Sequence, residues 1–233
     1  MTANPAIEQE TVVVAGAPVV PDPLGVIYWP HERLLVVADL HLEKGSSFAA
    51  RGMLLPPYDT AATLARLAVA IARYDPRMVI ALGDSFHDGK GPGRIGEADR
   101  TCLSVLQRGR EWIWITGNHD PDSIDGLGGC CASLVVIGPL TFRHHPTEAA
   151  AEGEIAGHLH PVARLSVRGR GISRRCFVTD GKRAVLPAFG AFTGGLNVRH
   201  HAFAEIFPGR AFMAHLLGDR RLYMVAGARC LPD

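Results

Sequence analysis

The stretch Leu34-Leu35-Val36-Val37-Ala38-Asp39-Leu40-His41-Leu42 decides how the rest of the chain is read. Its continuous apolar run suits a strand buried on both faces, as in the middle of a parallel sheet. The run then delivers an acid and a histidine two residues apart. In an extended backbone residues i and i+2 point to the same side, so Asp39 and His41 are expected to reach one point at the strand's C-terminal end. A carboxylate and an imidazole converging there can hold a metal ion. Alone, Asp-x-His is common and reads more often as a cap beside a surface histidine. Its weight comes from four further polar stations, which also follow apolar runs.

Working outward, residues 11–20 and 25–29 read as two short strands separated by the turn Pro21-Asp22-Pro23, an antiparallel edge leading into the central strand at 34–38. Residues 43–57 read as a loop carrying Lys44 and Arg51. A helix is predicted over 60–74, with Leu64, Leu67, Ala68 and Ile71 on one face and Asp75-Pro76 as its stop. The next buried strand, 78–82, ends in Gly83-Asp84-Ser85-Phe86-His87-Asp88. The glycine-rich segment 89–96, with Lys90 and Arg94, lacks the Gly-Lys-Ser/Thr of a nucleotide cradle and is expected to be a mobile loop. A helix over 97–108 and a strand over 112–116 follow, ending in Gly117-Asn118-His119-Asp120. The order strand–helix–strand–helix–strand predicts parallel strands with right-handed crossovers, which gather ligands at their C-terminal ends.

After Pro121 the pattern changes. Strand-like runs at 133–137, 140–143, 162–167, 175–179 and 184–187, a tight loop over 187–196 and a last strand over 221–226 predict a second sheet packed face to face on the first. No repeat or linker interrupts the chain, so one α/β domain over residues 1–233 is expected.

Composition narrows the class. With 233 residues, 47% hydrophobic and 20% charged, the chain has enough apolar material for a full core. No apolar run approaches the roughly 18 residues that would span a bilayer. Residues 1–11 carry Glu8 and Glu10 and no basic residue, unlike a secretory signal, and a cytoplasmic location is expected. The five cysteines show no Cys-x-x-Cys spacing and are read as inert thiols. The net charge of +1 hides an asymmetry: residues 1–160 hold 12 Lys and Arg against 19 Asp and Glu, whereas residues 161–233 hold 12 against 4. Bound cations would offset the acidic part. The basic part reads either as a footprint for a polyanion or as solvated arginines on exposed edges.

The polar stations in order are Asp39 and His41; Asp84; Asn118 and His119; His144 and His145; and Gly157-His158-Leu159-His160-Pro161. These are oxygen and imidazole donors with no cysteine among them, which suits divalent manganese, iron or zinc and not a thiolate site. Each fragment has a bland reading as a turn, a helix cap or a surface histidine pair. Together and in this order, chance explains them poorly.

The series Asp-x-His, Gly-Asp, Gly-Asn-His, His, Gly-His-x-His resembles the calcineurin-like metallophosphoesterases over about residues 34–161. The flanking text is similar to the bacterial ligase-associated DNA damage response phosphodiesterase/endonuclease branch. It comprises Ala38-Asp39-Leu40-His41-Leu42-Glu43-Lys44-Gly45, Arg51-Gly52, Leu55-Pro56-Pro57, Gly157-His158-Leu159-His160-Pro161 and Pro187-Ala188-Phe189-Gly190. The resemblance implies a four-layer α-β-β-α sandwich of two mixed sheets and two divalent metal ions, manganese before iron or zinc. It implies that Asp39, His41 and His160 hold one ion, Asn118, His144 and His158 the other, and that Asp84 bridges them. The family has one histidine where this chain offers two, and His144 is chosen over His145 because it comes first after the apolar run. His119 would protonate the leaving oxygen while a metal-bridging hydroxide attacks phosphorus. Lys44, Arg51, His87, Lys90 and Arg94, with the basic stretch 168–175, are the candidate substrate contacts. The implied substrate is nucleic acid in a repair setting, with a DNA ligase, a helicase and a nuclease as partners and no membrane. The competing readings are a phosphodiesterase or phosphomonoesterase of small substrates, and a non-catalytic scaffold that binds proteins.

Overall fold

The computed structural model describes residues 10–119, 126–148 and 151–233. The first sheet has seven strands, β1 (Val12–Val14), β2 (Ala17–Pro21), β3 (Ile27–Trp29), β4 (Leu34–Val37), β5 (Met78–Leu82), β6 (Glu111–Ile115) and β7 (Cys130–Ala132), in that spatial order. Pairing is antiparallel from β1 to β4 and parallel from β4 to β7. The run 11–20, expected as one strand, is a hairpin. Ala15 and Gly16 both take positive φ (47° and 81°), the conformation that a tight two-residue turn needs, and Val12 then faces Val19.

Helices α1 (Lys44–Ala49), α2 (Asp59–Tyr74), α3 (Gly91–Arg94) and α4 (Glu97–Gln107) belong to this half of the chain. The first and third stand where loops were expected. The segment 89–96 is packed down and not left loose: Ile95 joins the core under the helices, and Arg94 grips Asp88 with two bonds of 2.9 Å.

The second sheet runs β14 (Leu196–Asn197), β11 (Pro161–Val167), β12 (Arg170–Thr179), β13 (Ala184–Val185), β10 (Glu154–Ala156), β9 (Leu140–Arg143), β8 (Leu134–Ile137). β15 (Met213–Leu217) joins β12, and β16 (Leu222–Ala226) joins β15. β12 is longer than the 175–179 read from sequence. It folds back on β11 through Arg168 and Gly169, again with both φ positive (52° and 75°).

Side chains alternate across the strands and so feed three separate cores. Leu35, Val37, Val79, Trp112 and Trp114 meet Leu64, Leu67, Ile71 and Leu103 of the helices. Leu34, Val36, Ile80, Leu82 and Ile115 meet Phe142, Ile155, Phe177 and Leu186 between the sheets. On the outer face of the second sheet, Cys176, Val178, Ala214 and Leu216 meet Phe203 and Ile206 of α5 (His201–Ile206). The molecule is therefore an α/β sandwich of two mixed sheets with helices outside, its fourth layer reduced to a helix of 6 residues. Among the described residues no helix is long and apolar enough to cross a membrane.

Candidate metal centre and active site

The loops that leave β4, β5 and β6 meet those that follow β9 and β10. Strand β4 ends at Val37, before Asp39 and His41 are reached. Asp39, His41 and Glu43 then take left-handed φ of 53°, 43° and 63°, so Asp39 and His41 converge through alternating left-handed residues and not through the alternation of a strand. The same correction applies to His158 and His160, which lie between β10 and β11 at φ of 68° and 47°. Such conformations are strained for residues other than glycine and collect at functional sites. Here neighbouring loops hold them: His41 N–H donates to Asp84 O and Leu42 N–H to Ser85 O, each at 2.9 Å, and Gly190 N–H donates to Asp39 O at 3.0 Å.

Asp39 and Asp84 are buried at 0% and 2% exposure. The two oxygens of Asp84 look at different sets of donors. Oδ1 lies 3.4 Å from His144 Nε2, while Oδ2 lies 3.9 Å from His41 Nε2. On the Oδ2 side, His41 Nε2 is 3.4 Å from His160 Nε2, which is 3.3 Å from Asp39 Oδ1. On the Oδ1 side, His144 Nε2 is 2.9 Å from Asn118 Oδ1 and 3.2 Å from His158 Nδ1. Asp39 also accepts the His158 N–H, at 3.0 Å to Oδ2.

These groups fit divalent ions. The Leu82 carbonyl can only accept, so His144 Nδ1 carries the proton that it shares at 2.8 Å. His144 Nε2 is then a lone pair facing the Asn118 oxygen, a carboxylate and a second imidazole. Lone pairs packed this closely need a shared cation, either a proton on His144 or a metal ion. On the other side, the buried His41 Nδ1 has no hydrogen-bond partner. Ligand atoms lie within 4.8 Å of one another in the groups Asp39–His41–His160, Asp39–Asp84–His144 and His144–His145–His158.

Electrostatics follow from burial and neighbours. Burial, helped by His160, lowers His41 to about 3, and burial with His145 and His144 lowers His158 to about 4. Both rings are neutral at physiological pH and present lone pairs. Burial works against charge on Asp84, but the His144 ring, the His119 N–H and His41 outweigh it and hold the carboxyl below its usual range. Burial also works against charge on His144, and there Asp84 and Asp39 prevail and raise its pKa.

Every sequence-predicted ligand lies in this cluster. His145 stands outside the Asp84 contacts. It is exposed and rests its ring on His158 with centroids 3.7 Å apart. His119 stands over the cleft with its side chain 42% exposed and Nε2 3.9 Å from Asp84 Oδ2. Its Nδ1–H donates to the His87 carbonyl at 2.9 Å. His87 belongs to the same wall, its ring stacked on that of His119 at 5.5 Å and edge-on to His41.

The basic candidates divide. Lys44 donates to the Phe192 carbonyl at 2.9 Å beside the site, and Arg51 and Lys90 are exposed. Arg94 is committed to Asp88 and Ser46 and does not face the cleft as a loose cation. Arg168, Arg170 and Arg174 are exposed on the β11–β12 hairpin, whereas Arg175 is half-buried against the Ala188 carbonyl. Sequence reasoning gave no role to Gly83 and Gly157. A Cβ on Gly83 would meet the His144 ring at 2.6 Å, and one on Gly157 would meet Asp39 Oδ2 at 2.7 Å. It also gave none to the rim aromatics Tyr58 and Phe192, for which the sequence carries no signal.

Two mixed sheets with an Asp/His/Asn cluster at the ends of parallel strands define a metal-dependent hydrolase. A family model described as calcineurin-like phosphoesterase matches residues 32–164, and the chain belongs to that family of metal-dependent phosphoesterases. Among solved structures, the nuclease MPE of Pseudomonas putida aligns with a TM-score of 0.71 and 29% identity, over 93% of this chain and 100% of that one. Yfce, a phosphoesterase from E. coli, aligns with a TM-score of 0.42 and 14% identity, over 83% and 98%. No curated protein matches.

Proposed function

We propose that this chain is a two-metal phosphodiesterase that cleaves nucleic acid. The observation that carries the reading is Asp84, whose two oxygens face two separate sets of imidazole and oxygen donors. Asp39, His41 and His160 would hold one ion, Asn118, His144 and His158 the other, and Asp84 both. When bound, two divalent ions supply Lewis acidity toward the phosphoryl oxygens and acidify water. Manganese suits the hard oxygen and borderline imidazole set, with iron or zinc next.

His119 does the proton work. Its Nδ1–H is fixed on the His87 carbonyl, so Nε2 is the atom that faces the cleft and delivers a proton to the leaving oxygen, worth about 10²–10⁴-fold. No side-chain nucleophile is needed. Lys44 and Arg51 lie close enough to His87 to lower its pKa and with it suit phosphate contacts, with the exposed Lys90 and Arg168, Arg170 and Arg174 as a polyanion track farther along the surface. That the Pseudomonas putida neighbour is a nuclease supports nucleic acid as the substrate. The flanking motifs support a DNA repair setting with ligase, helicase and nuclease partners, in one domain working in the cytoplasm.

The test is hydrolysis of bis(p-nitrophenyl) phosphate and of p-nitrophenyl phosphate by manganese-loaded protein, with Asp39→Ala as the blank. Turnover of the diester that is lost in the blank is expected. Preference for the monoester would replace the nuclease reading with a phosphatase, and bound metal without turnover of either ester or of DNA and RNA oligonucleotides would leave a scaffold. His119→Ala is expected to lose turnover on oligonucleotides and keep its metal content. Metal loss in that variant would mean that His119 is a ligand.

A further inference from the structure

We infer that Phe192 and Tyr58 form an aromatic step at the rim of the site, on which a base of the substrate strand stacks beside the phosphodiester being cut. The inference rests on the reading of the site as a nucleic-acid phosphodiesterase. Both rings are exposed, at 48% for Phe192 and 58% for Tyr58, and they sit edge-on to each other with centroids 6.0 Å apart. Isolated exposed apolar residues are ordinary; two aromatic rings side by side at the mouth of an anion-binding site are not.

The step is anchored to the site itself. Two residues before Phe192, Gly190 N–H donates to the Asp39 carbonyl, and Ala191 N–H donates to Thr63 Oγ1 at 2.9 Å. Phe192 takes a left-handed φ of 56°, a strained state for a bulky residue, and Lys44 Nζ holds its carbonyl at 2.9 Å. The same ammonium lies 5.9 Å from the Phe48 ring centroid. A cation beside an exposed flat apolar surface, tied within two residues to a site residue, suits a ligand that joins a negative phosphate to a flat ring. A nucleotide does that, and base–aromatic stacking tolerates any base.

The test uses p-nitrophenyl esters of thymidine 3′- and 5′-phosphate, together with abasic counterparts in which a tetrahydrofuran replaces the nucleoside sugar and base. One stacked base corresponds to roughly a 5- to 150-fold preference in kcat/KM for the base-bearing ester. Wild type is expected to show such a preference on one side of the phosphate, and Phe192→Ala and Tyr58→Ala to bring the ratio toward one. The alanine at 192 keeps the carbonyl that Lys44 holds. As a reading independent of turnover, emission from a 2-aminopurine dinucleotide is expected to be quenched on binding to wild type and much less so on binding to Phe192→Ala. Turnover with equal rates for base-bearing and abasic esters would overturn the step and leave the phosphodiesterase reading intact. A preference that survives both substitutions would place the base elsewhere and also overturn it. Turnover of no ester and of no oligonucleotide would overturn both readings.

Discussion

Replacing Gly83 by alanine should damage the proposed metal centre without replacing any residue of its donor sets. Gly83 has φ of 76°, and a Cβ there would lie 2.6 Å from both Cγ and Nδ1 of His144. Left-handed backbone on alanine costs about 1–2 kcal/mol. The His144 ring is 3% exposed and has no solvent-facing retreat. To make room it must release its Nδ1–H bond to the Leu82 carbonyl, at about 1–3 kcal/mol for a buried acceptor left unpaired. The sum is roughly 2–5 kcal/mol, which lowers Tm by about 4–20 °C in a chain of this size. On the proposed two-metal reading His144 belongs to one donor set, so metal analysis by mass spectrometry should show occupancy falling from two ions per chain toward one. Gly89→Ala is the control, since nothing lies within 4 Å of a Cβ at that position. A Gly83→Ala protein that melts within 2 °C of wild type and keeps its full metal content would refute the reasoning.

The two adjacent histidines should separate cleanly. His144→Ala is expected to lose an ion and at least 100-fold in turnover, whereas His145→Ala keeps its metal and loses less than tenfold; equal losses would move the ligand assignment. Glu154, 2% exposed, accepts from Thr147 Oγ1 at 2.8 Å and lies 3.6 Å from the buried Arg183. Glu154→Ala removes the buried carboxylate that Thr147 N–H and Oγ1, Arg183 and Arg143 share and should cost about 3–5 kcal/mol, read as a fall in the urea midpoint; an unchanged midpoint would mean that the other partners of these groups suffice. Metal-free protein should lose stability as pH falls from 6.5 toward 4. Burial lowers His41 to about 3 and His158 to about 4, so over that window the unfolded chain takes up protons that the native chain refuses. The raised pKa of His144 works in the opposite direction, but burial lowers His87, His145 and His215 as well. Urea midpoints in EDTA at pH 7.5, 6 and 5 check this, and a flat series would contradict it.

How much of this could be read from sequence depends on element length. β4, β5 and β6 were legible because each is a run of buried apolar residues between turn signals, and α2 because Leu64, Leu67 and Ile71 recur at helical spacing. β7, β10 and β14 hold three, three and two residues, too few for any period to show. They exist because a neighbouring strand offers an edge, which is tertiary information. The residue 89–96 segment was misjudged for a related reason. Its glycines suggested mobility, while the bond from Arg94 to Asp88 and the burial of Ile95 depend on where the chain returns.

The site shows the opposite case, in which the residues singled out in the sequence do lie together, but by a route other than the one expected. Strand alternation brings i and i+2 together, and Asp39 and His41 do come together, yet the strand has already ended at Val37. What joins them is a left-handed residue at every second position, a conformation that Asp and His signal only faintly. Each such residue costs of order 1 kcal/mol or more, and six of them fall at Asp39, His41, Glu43, Asp84, His158 and His160. Backbone bonds hold the strain in place by continuing the sheet past its strands. Leu42 bridges Phe86 in parallel register, His87 N–H donates to Leu42 O, and Phe189 N–H donates to Ala38 O. Those bonds involve no side chain of the proposed ligands. Removing a histidine from the proposed set should therefore empty a metal position and leave the fold standing. Changing a glycine that gives a ligand its space should disturb the metal and the fold together.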